Sequence, residues 1–107
     1  MLKDIEVLDN SMVITIAGEL DLRVADKLRT ELDELINKNP GKDLILDFSN
    51  VNFIDSSGLG VLLGRYKKLH PSGTKIYIKE VQPQVKRVLE LSGIMRLLKV
   101  TEQQMDI

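Results

Sequence analysis

Hydrophobic and polar positions change period several times along the chain, and each change marks an element. Ile5, Val7 and Leu8 alternate loosely with charged residues, Asp9-Asn10-Ser11 reads as a turn, and Met12 to Ala17 is dense in β-branched residues and closed by Gly18. Two short strands joined by a polar turn predict an antiparallel hairpin. Leu22, Ala25, Leu28, Leu32, Leu35 and Ile36 then recur at three and four among charged residues, which predicts an amphipathic helix with Asp21 as N-cap and Asn39-Pro40-Gly41 as its stop. Leu44-Ile45-Leu46 is a continuous apolar run ending at Asp47, as a strand buried on both faces requires.

A second helix is expected from Ser56 or Ser57 to about Leu69, with Leu59, Leu62, Leu63, Tyr66 and Leu69 on its apolar face. Pro71-Ser72-Gly73 breaks it, and Lys75 to Ile78 makes another strand. Pro83 sits where a helix accepts its first residue, Val85, Val88 and Leu89 give that helix a buried face, and Ser92-Gly93 ends it. Ile94 to Val100 reads as a short helical turn and then a final strand through Leu97, Leu98 and Val100. The expected fold is a single α/β domain over residues 1–107: a mostly parallel sheet of four or five strands with an N-terminal antiparallel hairpin. Right-handed crossovers taken in sequential order would stack the helices mainly on one face. A doubly wound sheet is the competing arrangement, and periodicity does not choose between them.

Composition narrows the function. There is no cysteine, which excludes disulfides, thiolate chemistry and cysteine-ligated metal, and the one histidine, His70, leaves little for a histidine metal site or a Ser-His-Asp triad. His70 is read as a helix C-terminal residue favoured by the dipole. A net charge of -1 argues against a general binder of nucleic acid. The charged start and short apolar runs argue against a signal peptide or a membrane span, so the expected location is cytoplasmic.

Functional groups of open α/β sheets collect in the loops after the carboxyl ends of strands. Two loops qualify: Gly18-Glu19-Leu20-Asp21, and the long stretch from Asp47 to Gly58. Parallel neighbouring strands would bring both to one end of the sheet. Gly58, Gly60 and Gly64 lie in or at the start of the second helix, where each glycine costs about 0.8–1 kcal/mol against alanine. Close helix–sheet contact is the expected reason at Gly60 and Gly64, and access of a partner to the backbone at Gly58. Ser56 and Ser57 read on pattern alone as N-caps, and Asp55 as a turn or capping residue. The sharper alternative is that one serine accepts a phosphoryl group, facing free backbone N–H groups at the helix start and bringing negative charge beside Asp55. No dinucleotide, P-loop or nucleophile-elbow motif fits. The acid pairs Asp47/Asp55 and Glu19/Asp21 are as readily solvated carboxylates as catalytic ones, so no catalytic or metal residue and no cofactor is expected.

The stretches Ile16 to Asp21, Asp47 to Lys67 and Val85 to Ile94 together resemble the bacterial anti-sigma-factor antagonists of the STAS domain family, the sporulation type above all. Asp55-Ser56-Ser57-Gly58-Leu59-Gly60 carries the most specific part of the likeness. The resemblance implies a partner-switching protein without catalytic activity of its own. Unphosphorylated, it would bind an anti-sigma factor that is also a serine kinase and free the sigma factor. Phosphorylation would release it, and a PP2C-type phosphatase would restore it. The acceptor falls on Ser56. Asp21 would support the docking surface, with Asp55, Ser57, Gly58 and Leu59 as contact or positioning residues and Leu22-Arg23-Val24 bearing on partner choice. A STAS module serving a non-sigma pathway is the alternative, and a receiver domain phosphorylated on Asp47 a more distant one.

Overall fold

A computed structural model describes residues 1–101. Its elements are strand β1 (Leu2–Val7), strand β2 (Ser11–Leu20), helix α1 (Leu22–Lys38), strand β3 (Asp43–Ile54), helix α2 (Ser56–Leu69), strand β4 (Ile76–Lys79), helix α3 (Pro83–Ser92) and strand β5 (Lys99–Val100), with 3-10 turns at His70–Ser72 and Ile94–Arg96. The sheet order is β1-β2-β3-β4-β5. β1 pairs antiparallel to β2, and every later pair is parallel. The strand order never reverses, so the doubly wound alternative falls away.

The three helices share one core with the sheet. Leu28, Leu32 and Ile36 of α1, Val61, Leu62 and Leu69 of α2, and Val85 and Leu89 of α3 cluster with Met12, Ile14 and Ile16 of β2 and with Leu44, Leu46 and Phe48 of β3. Along β2 these alternate with half-buried Val13, Thr15 and Ala17, which belong to the opposite face. Ile45 lies in register between Val13 and Tyr77, so the central apolar run is buried on both faces as its composition predicts. β5 is shorter than expected: Leu98 is buried before the strand begins, while Leu97 stays 44% exposed.

Two boundaries differ from the sequence reading for one physical reason. β2 runs on through Gly18, and β3 continues past Asp47 to Ile54. The parallel register slips twice, between Thr15↔Asp47 and Ala17↔Asn50 and again between Gly18↔Val51 and Glu19↔Phe53. Each slip is a bulge that places one extra residue on β3. Gly18, with φ +104, adopts a backbone that other residues avoid, so a glycine read as a strand stop lies instead within β2, on the strand facing the second bulge. Asp47 Oδ1 accepts from the Ser49 N–H at 2.9 Å across the first bulge. Ser49, Asn50 and Asn52 point to solvent there, and their polarity disguised a strand as a loop.

Candidate functional site

β2 and β3 end side by side. Their last registered pair is Leu20↔Ile54, both buried, and the Asp55 N–H donates to the Leu20 carbonyl at 3.3 Å. Each strand then turns into a helix through an aspartate of nearly the same conformation, Asp21 at φ -117, ψ -175 and Asp55 at φ -117, ψ -170. The two helix starts therefore lie together at one end of the sheet, as the order of parallel strands predicts.

Asp55 caps α2. Its Oδ1 accepts from the backbone N–H of Ser57 at 2.8 Å and of Gly58 at 3.2 Å. Neither serine is the cap: Ser56 occupies the first helical position, is exposed, and makes no side-chain hydrogen bond among the described residues, whereas Ser57 is half-buried. Two of the N–H groups expected to await an anion at this helix start, those of Ser57 and Gly58, are thus already engaged by Asp55.

The glycines reverse their expected roles. A Cβ on Gly58 would stand 2.3 Å from the Leu20 carbonyl oxygen and 2.8 Å from Ile54 Cγ1, so the first turn of α2 lies directly on the end of β2. A Cβ on Gly60 or Gly64 would meet nothing within 4 Å. Close packing fixes Gly58, and the two later glycines are left open. Gly60 instead joins Ser56, Leu59, Leu63, Ile94 and Leu97 around a mainly apolar groove of about 340 Å³. Periodicity had not signalled this groove, because its far wall comes from the turn after α3.

Asp21 caps α1 and carries a second load. Its Oδ1 accepts from the Arg23 N–H at 3.0 Å, and its Oδ2 from Arg23 Nε at 3.0 Å and Nη2 at 2.7 Å; Nη2 also reaches Glu19 Oε2 at 2.7 Å. The Arg23 guanidinium holds the Asp21 carboxyl below the ordinary carboxylate range, and the two acids in turn raise Arg23. The family resemblance gave Leu22-Arg23-Val24 a bearing on partner choice but did not tie Arg23 to Asp21, although an arginine two residues after a capping aspartate is itself a signal. Both members of the Glu19/Asp21 pair are tied to Arg23, and Asp47 and Asp55 both bond backbone N–H groups, so each of these acids has a structural partner. Asp47 also stands seven residues before the end of its strand, away from the end a receiver's acceptor would occupy. His70 ends α2, its ring stacked on Tyr66 with centroids 5.0 Å apart. Among the described residues no helix is long and apolar enough to cross a membrane.

Comparison with known proteins places this geometry. The STAS domain model matches residues 3–105. The anti-sigma F factor antagonist of Paenibacillus polymyxa is 34% identical over 95 residues, which cover 89% of this chain and 81% of that protein. The solved structure of the anti-sigma factor antagonist SpoIIAA in its unphosphorylated form superposes with a TM-score of 0.77 at 26% identity, over 94% of this chain and 88% of the other. The Bacillus cell fate determinant SpoIIAA in its phosphorylated form does so with a TM-score of 0.68 at 25% identity, over 94% and 91%. With a family model spanning nearly the whole chain and a fold of matching topology, this protein belongs to the STAS domain family.

Proposed function

We propose that the chain is an anti-sigma factor antagonist whose unmodified form binds a serine-kinase anti-sigma factor and whose phosphorylation on Ser56 ends that binding. The single observation that carries the reading is Ser56 itself. It is an exposed hydroxyl, unbonded among the described residues, at the first position of α2, beside the capping carboxylate of Asp55 and at the end of the sheet that also holds Asp21. Ser57, half-buried one position on, is the poorer acceptor. The relatives named as antagonists, one of them solved in a phosphorylated form, support an antagonist that takes up phosphate.

The mechanism is electrostatic. Asp55 already occupies the Ser57 and Gly58 N–H groups, so a phosphoryl group on Ser56 gains little from the helix start and faces a fixed carboxylate. One unit-charge repulsion between that phosphoryl group and an acidic group of the partner, at about 5 Å and an effective dielectric near 20, is roughly 3 kcal/mol before salt screening. Half of that opposing the complex weakens it more than about tenfold. Asp21, Asp55, Ser57, Gly58 and Leu59 position or contact the partner. A PP2C-type phosphatase resets the switch, the chain itself catalyses nothing, and the cycle runs in the cytoplasm, where ATP and sigma factors meet.

The test incubates the protein with Mg-ATP and the serine-kinase anti-sigma factor encoded nearest to it, then records intact and fragment masses for wild type, Ser56→Ala and Ser57→Ala. One added phosphate on wild type and Ser57→Ala, absent from Ser56→Ala, is the expected result. Phosphate on Ser57 alone would move the acceptor. No phosphate and no complex would turn the assignment to a STAS module of a non-sigma pathway.

A further inference from the structure

We propose that Arg23 is the residue by which this surface selects its partner, closing Asp21 off and presenting a guanidinium in its place. The inference rests on the reading above, that this end of the sheet docks an anti-sigma kinase.

The bonding inventory makes the case. A carboxylate offers about four acceptor sites. Three of those on Asp21 are taken by Arg23: one by its backbone N–H, two by its side chain. The Asp21 side chain is only 14% exposed. A cation sent by a partner towards Asp21 therefore meets a like charge already in position. Arg23 itself has five N–H donors. Nε and Nη2 are committed to Asp21 and Glu19, while Nη1 bonds no described residue, and the side chain is 74% exposed. Two carboxylates behind the guanidinium hold its plane, so little freedom remains to be lost when a partner's acceptor arrives.

The surroundings define the complement. Phe53 is the register partner of Glu19 and is 47% exposed; Leu22, at the first position of α1, is 76% exposed. Among the described residues they are two of six exposed large apolar side chains, one paired in register with Glu19 and the other next to Asp21 in sequence. An arginine flanked by apolar surface, the composition found at interface hot spots, fits a partner that presents an acidic side chain among apolar ones.

The test measures the affinity of the full chain for the anti-sigma kinase that phosphorylates it, by calorimetry at low and high salt, for wild type, Arg23→Ala, Asp21→Asn and Phe53→Ser. Circular dichroism on each variant confirms that it is folded. Arg23→Ala is expected to weaken binding at least about tenfold and to flatten its salt dependence. Asp21→Asn keeps a capping oxygen and should lose less, and Phe53→Ser should lose affinity without altering the salt dependence. Arg23→Ala binding as tightly as wild type would show that the partner does not read Arg23, Asp21→Asn losing more than Arg23→Ala would show that it reads Asp21 directly, and either would overturn the inference alone. Wild type neither binding nor being phosphorylated by any serine-kinase anti-sigma factor of its genome would instead overturn the reading beneath it.

Discussion

At the scale of single residues, the three glycines of α2 separate by contact and not by sequence. Gly58→Ala must push its Cβ into the Leu20 carbonyl, a rigid backbone group, and overpacking of that kind costs about 1–3 kcal/mol. Gly60→Ala and Gly64→Ala meet open space in a helix and should each stabilise by about 0.5–1 kcal/mol. Urea denaturation of the three variants checks this, with Gly58→Ala shifted to lower midpoint and the other two to higher. Asp21 gives a second expectation. Its folded pKa lies below its ordinary value of 3.8 because of Arg23, so it contributes stability that is complete above that value and is lost as the pH falls through the lowered one. Wild type should therefore lose melting temperature more steeply than Asp21→Asn as the pH is taken below about 4. High salt should bring the two curves together, since the Arg23 side chain is largely exposed.

At the scale of elements, α1 and α2 are joined by apolar contact and by one ion cluster. Arg65 Nε lies 3.1 Å from Asp33 Oδ1 and Lys68 Nζ lies 3.4 Å from the same oxygen. Arg65 is a buried charge, and desolvation lowers its pKa in spite of Asp33. Its Nη1 finds no hydrogen-bond partner among the described residues. Removing the acid strands the guanidinium, while replacing the guanidinium by an apolar chain removes the need for the acid. Asp33→Ala should accordingly destabilise by about 1–2 kcal/mol, discounted because the Asp33 side chain is 30% exposed, and Arg65→Met should stay within about 1 kcal/mol of wild type. Equal losses in the two variants, read from chemical denaturation, would contradict this account.

At the scale of the whole molecule, a sheet built in strict sequential order with helices on one face leaves its β2 and β3 carboxyl ends adjacent, and the site follows from that adjacency. The hairpin, the three helices and the central strand were legible because each is declared locally, by period, by caps and by punctuation such as Asn39-Pro40-Gly41 and Ser92-Gly93. Asp21 was legible as a cap for the same reason, since a cap is a short-range bond, whereas at α2 the pattern pointed to the serines and the cap is Asp55. The full reach of β3 was not, because Ser49, Asn50 and Asn52 sit at bulges that only pairing with β2 creates. Nor was the groove beside Ser56, whose two walls are some thirty residues apart in sequence.

The sequence by itself determined the element order, the class of fold, the family likeness and the stretch Asp55 to Leu59 as the place to look. All of these depend on the periodicity, caps and motif spacing of neighbouring residues. Tertiary structure alone decided which glycine is obligatory and how far β3 runs. A Cβ clash with Leu20 and a register that slips twice against β2 are facts of distance between segments. Periodicity carries no such distances; they exist only once β2, β3 and the two helices have come together.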